Sequence, residues 1–139
     1  MATVLRPEVS PKNKYHINKH RHYELKHFCL QYPLWVKTYE ELCNPAISLS
    51  AMEREPTSNL PGDPTAKRAM LKTFYADRIK LIERTALETD PCLHTYILKG
   101  VTEQRSYTYL RTILGMPCGK DMYYDRYRRF FWLLSEARE

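Results

Sequence analysis

Apolar side chains recur at every third or fourth position through most of this chain, a spacing that predicts helices and not strands. After Asn18, whose short side chain can cap a helix start, Tyr23, Leu25, Phe28, Cys29 and Tyr32 follow that spacing. Pro33 removes a backbone donor and disfavours helical geometry at Tyr32. A bend is predicted there, with a restart that aligns Leu34, Trp35, Tyr39 and Leu42. Residues 44–62 carry three prolines, three serines and a glycine, and read as a linker loop. A sharp start follows at "DPTAKRAM", where Asp63 caps and Pro64 takes the first helical position. That helix is predicted to run to about Thr89. Its stripe of Tyr75, Ile79, Ile82 and Ala86 reads as core, part of which, with Trp35 and Tyr39, could serve a homodimer.

"DPCLHTYIL" repeats the device: Asp90 caps, Pro91 opens, and a short helix is predicted to end near Gly100. Ser106 caps "YTYLRTIL", with Tyr107, Leu110, Ile113 and Leu114 as its apolar face. Gly115 stops that helix, since a residue tolerant of positive φ fits best there. "MPCG" turns the chain and Lys120 to Glu136 restarts it. The fold predicted is all-α with a C-terminal helix-turn-helix. Its segments are a flexible basic arm over 1–17, a kinked helix or helix pair over 18–43, the linker over 44–62, and a long helix plus helix-turn-helix over 63–139.

Composition narrows the function classes. No run approaches eighteen apolar residues, so no membrane-spanning helix is predicted. The first residues lack the apolar centre of a secretory signal. Cys29, Cys43, Cys92 and Cys118 form no paired motif, which argues against a disulfide framework or zinc ribbon and for a reducing cytoplasm. The net charge of +6 is uneven: residues 1–27 carry +4, residues 28–104 carry −1, and residues 105–139 carry +3. Basic ends suit a polyanionic partner.

The segment "GMPCGKDMYYDRYRRFFWLL" carries the functional signal. On a helix, Tyr123, Tyr127, Phe130 and Leu134 form an inner stripe, widened by Phe131 and Trp132. Lys120, Asp121, Tyr124, Asp125 and Arg128 fall on the opposite side, flanked by Arg126 and Arg129. In a recognition helix the cations of such a face can donate to guanine edges in the major groove, and the flanking arginines can neutralise phosphates. Asp121 and Asp125 would repel phosphates unless they accept from cytosine or orient the arginines.

"SYTYLRTILGMPCGKDMYYDRYRRFFWLLSE" resembles the C-terminal helix-turn-helix of phage and prophage late-gene transcriptional regulators of the ArpU/RinA type. In that family an aromatic pair follows the turn, here Tyr123 and Tyr124, then a basic run, here Arg126, Arg128 and Arg129, then an apolar end. The form also resembles the last region of sigma factors. "DPTAKRAMLKTFYADRIKLIERTALETD" is similar to the long helix that precedes the unit in relatives, so the resemblance covers about residues 63–136. It implies a sequence-specific regulator that binds double-stranded DNA, with RNA polymerase as a further partner. The competing reading is a phage adaptor or inhibitor whose basic helix binds an acidic protein, with a small-terminase-like packaging protein between the two.

Other chemistry is sparse. His16, His20, His22 and His27 cluster near Cys29, but no acidic partner completes a metal set, and a basic, partly protonated surface is the simpler expectation. Cys118 sits where a helix N-terminus could stabilise a thiolate, without a base beside it. No nucleophile-and-base pattern and no glycine-rich phosphate loop is present, so neither an enzyme nor a cofactor is predicted.

Overall fold

The computed structural model describes residues 13–44 and 63–139. These form six α-helices and, among the described residues, no strand: α1 Lys19–Leu30, α2 Tyr32–Cys43, α3 Pro64–Thr89, α4 His94–Glu103, α5 Tyr107–Thr112 and α6 Lys120–Ala137. None of them is long and apolar enough to cross a membrane. The arm residues 1–12 and all of the predicted linker except Asn44 lie outside the described residues.

Local chemistry sets most boundaries where expected. The Asn18 side chain accepts from the His20 N–H at 2.8 Å and opens α1. The Asp63 carboxylate accepts from the Thr65 N–H at 3.2 Å, and Pro64 begins α3. Gln31 alone separates α1 from α2.

Two boundaries differ from expectation. Asp90 accepts from the Cys92 and Leu93 N–H groups, so Pro91 falls in a turn and α4 begins only at His94. Gly100 does not end that helix. It lies inside α4 against the Tyr123 hydroxyl, where an added Cβ would collide with the phenol. Glycine is needed there for close approach, and α4 continues to Glu103.

The chain divides into two compact units. One comprises residues 13–31 and 81–139, the other residues 32–44 and 63–80, so α3 contributes to both. In the smaller unit the buried residues are Trp35, Thr38 and Leu42 of α2 and Leu71 and Tyr75 of α3. Leu34, predicted on the inner side of α2, is 53% exposed.

In the larger unit α1 packs on α4 and α6, and α4 packs on α5 and α6. Its core holds Leu25, Phe28 and Cys29 of α1, Ile82 and Ala86 of α3, Ile97 and Val101 of α4, and Phe130, Phe131 and Leu134 of α6. Fully burying each such large apolar side chain contributes about 1.5–3 kcal/mol. Tyr23, assigned to the inner stripe of α1 from spacing, points outward, and His22 takes the inner position.

Two arginines fasten the end of α6. Arg21 donates to the Ser135 hydroxyl and carbonyl, each at 3.1 Å, and Arg138 stacks over Phe28 at 3.8 Å.

Candidate nucleic-acid interface

The turn between α5 and α6 is tightly made. Ser106 caps α5 by accepting from the Tyr109 N–H at 3.1 Å. Gly115 adopts φ +73°, and no atom lies within 4 Å of where its Cβ would be, so the requirement here is conformational. The Met116 N–H then donates to the Leu110 carbonyl at 2.9 Å, and the Met116 side chain is fully buried. Arg111 donates to the Met116 carbonyl at 2.9 Å and Tyr107 donates to the Cys118 carbonyl at 3.1 Å. Side chains of α5 therefore satisfy carbonyls that the turn would otherwise leave to water.

The predicted apolar face of α5 is only partly realised. Leu110 is buried, but α5 ends at Thr112, and Ile113 and Leu114 are exposed. The helix stops before those positions, so helical spacing no longer directs them inward.

On α6 the inner stripe holds at Tyr123, Phe130 and Leu134, and Phe131 is 1% exposed and equally central. Tyr127 is half-buried, its ring 4.9 Å from Phe131 and 6.3 Å from His22. Burial raises the Tyr123 and Tyr127 phenols well above their ordinary range.

Arg126, expected to reach phosphates, is ion-paired within the fold. It donates to the Asp90 carboxylate at 2.9 Å and to Asp125 at 2.7 Å. Burial alone would raise the Asp90 carboxyl. The hydrogen bonds from Arg126, Cys92 and Leu93 outweigh that and leave its pKa below the ordinary 3.8. The contact joins α6 to the turn between α3 and α4. Sequence could not place Asp90 there, because the two residues stand 36 positions apart.

The remaining predicted residues lie on other sides of α6. Lys120 is exposed, with its ammonium 5.9 Å from the Tyr124 ring centroid. Tyr124 is half-buried, packed near Tyr123 and Tyr107, and burial raises its phenol, so it stays protonated at neutral pH. Asp121 is exposed, and Asp125 is committed to Arg126. Arg128, placed on the outer face by its spacing, is half-buried. It forms no ion pair among the described residues, and its Nε is shielded from solvent without a hydrogen-bond partner. Arg129 donates to the Tyr15 hydroxyl at 3.3 Å.

The sequence places Tyr15 in the arm, yet it is buried, with its ring 6.0 Å from Trp132. The available signal was a lone aromatic among prolines and lysines.

Two other expectations change. His22 is not part of a protonated surface: it is buried, its ring is 4.8 Å from Phe131, and burial pulls its pKa down to about 4. Burial likewise raises the Cys118 thiol, so this turn does not stabilise a thiolate. Among the described residues no group of three or more His, Cys, Asp or Glu could hold a metal ion. Comparison of the chain with models of known protein families, with characterised proteins and with solved structures finds no match.

Proposed function

We propose that this chain binds duplex DNA sequence-specifically, with α5, the turn and α6 acting as a helix-turn-helix, and that it regulates transcription of phage late genes. One observation carries the DNA reading. Along the N-terminal half of α6, Lys120 and Arg128 make no ion pair among the described residues, and Tyr124 lies between them. The helix is meanwhile anchored on its other side by Phe130, Leu134 and the Arg126–Asp90 pair. A cationic edge held rigid by a packed core is what base readout in the major groove requires. Uncompensated cations on a surface also favour a polyanion. The regulatory role rests on the resemblance of residues 106–136 to late-gene activators, with RNA polymerase as the second partner and a homodimer as the assembly.

In this reading Lys120, Tyr124 and Arg128 face base edges and Arg129 holds backbone phosphate. Asp121 accepts from a cytosine amine, and Asp125 with Arg126 orients the helix instead of touching DNA. The alternative, docking on an acidic protein, draws support from the exposed Met122 on α6 and Ile113 after α5, which could anchor a protein surface.

Fluorescence anisotropy of the full chain against duplexes of its own upstream DNA, with salt varied, tests the proposal. Affinity should fall steeply and linearly on a log–log plot as counterions are released. Affinity that stays flat between low and moderate salt would point to the protein-docking reading.

A further inference from the structure

A second cationic cluster lies where the chain enters α1 and crosses α6. The ammonium of Lys14 is 5.0 Å from the Tyr15 ring centroid, and Arg129 donates to the hydroxyl of the same ring at 3.3 Å. Trp132 supports that ring at 6.0 Å. Two cations thus converge on one phenol from segments more than a hundred positions apart.

Among the described residues no carboxylate is paired with either cation. The nearest acid along α6, Asp125, is one turn before Arg129 and is bonded to Arg126. The Nε of Arg129 is shielded from solvent and has no partner, so the hydrogen bonding of its guanidinium is incomplete. A buried donor without an acceptor is destabilising, and like charges held together repel. An anion with several acceptor oxygens, reached from the accessible side of the pair, would offset the like charges. The Arg129 hydrogen bond, with the Lys14 charge, also lowers the Tyr15 phenol against the opposing effect of burial.

We propose that Lys14, the Tyr15 hydroxyl and Arg129 form a phosphate subsite, and that its occupant is a backbone phosphodiester of the duplex read by α6. Phosphate chemistry suits the cluster because a guanidinium binds tetrahedral oxyanions through paired donors, while a lysine adds a point charge. The Tyr15 hydroxyl, now an acceptor for Arg129, can turn its own proton toward the phosphate oxygen. The DNA source rests on the reading of α6 given above. The subsite would place the start of α1 against the backbone, fixing register as phosphate contacts do.

Heteronuclear NMR of the full chain resolves the Arg129 Nε–Hε signal. Two probes are titrated: inorganic phosphate and a mixed-sequence DNA duplex. Both should shift that signal. The double variant Lys14→Gln, Arg129→Gln should lower the log–log salt slope of duplex binding by about two. Tyr15→Phe keeps the packing on Trp132 and should weaken duplex binding by a few-fold at temperatures well below its melting transition.

If duplex shifts the amides of Lys120–Arg128 while the Arg129 signal and the salt slope stay fixed, the subsite is wrong and the reading of α6 stands. If phosphate shifts the Arg129 signal but duplex leaves both regions unmoved, the DNA source is overturned and the phosphate chemistry is retained. If neither probe moves Arg129, the subsite is rejected outright.

Discussion

At the scale of single residues, His22 shows how packing changes a side chain's chemistry. Its ring is tilted against Phe131 inside the larger unit, with centroids 4.8 Å apart, and burial pulls its pKa down to about 4. In the unfolded chain an imidazole titrates near 6.5. Between those values the unfolded state binds the extra proton, so stability rises with pH from about 4 to about 6.5 and levels off above. The amplitude is at most about 3 kcal/mol. Urea midpoints at pH 4.5 and pH 7.5 provide the check, with wild type losing more stability on acidification than His22→Phe. Equal losses in the two proteins would mean that His22 is solvated.

The residue scale also marks the limits of reading sequence. Asn18, Asp63, Ser106 and Gly115 could be assigned from their identities because caps and positive φ are local requirements. His22 and Tyr23 could not be ordered, since both fit a helical stripe and only the neighbours of α1 decide which turns inward.

At the scale of elements, α6 was legible as a two-sided helix, and Phe130 and Leu134 are buried as the spacing implied. Its fastening was not legible. The Arg126–Asp90 contact joins positions distant in sequence, and nothing in "DRYRR" says which arginine is paired within the fold. The structure gives Arg126 carboxylate partners in Asp90 and Asp125. Asp90 is nearly buried and also accepts from two backbone N–H groups, so Arg126→Gln leaves a carboxylate without its cation. The expected cost is about 1–3 kcal/mol. Because the pair holds the folded Asp90 pKa below its unfolded value, its stabilisation is present above about pH 4 and fades as acid protonates the carboxylate. Thermal unfolding at pH 7 should show the destabilisation, while the salt slope of duplex binding at low temperature should not change. A variant as stable as wild type, or with a slope reduced by one, would return Arg126 to the phosphate-binding set.

At the scale of the whole molecule, the division into two compact units was hidden in the sequence. Order along the chain suggests an N-terminal helical segment, a linker and a C-terminal unit. Packing instead groups α1 with α4, α5 and α6, and groups α2 with the first part of α3. Helical periodicity tells which side of a helix is inner and says nothing about which helix covers it. The basic ends, which looked like two separate charge excesses, meet at Tyr15 and Arg129 in one unit. That juxtaposition places the cations of Lys14 and Arg129 around a single phenol.

The central claim is that α6 reads bases through Arg128. Its most direct test is the dissociation constant of Arg128→Ala on a duplex selected by the wild-type chain from random sequences, beside a scrambled duplex of equal length. The account predicts a loss of roughly 1–3 kcal/mol on the selected duplex and a much smaller loss on the scrambled one. Equal losses on both duplexes would contradict it and leave Arg128 as a phosphate contact alone.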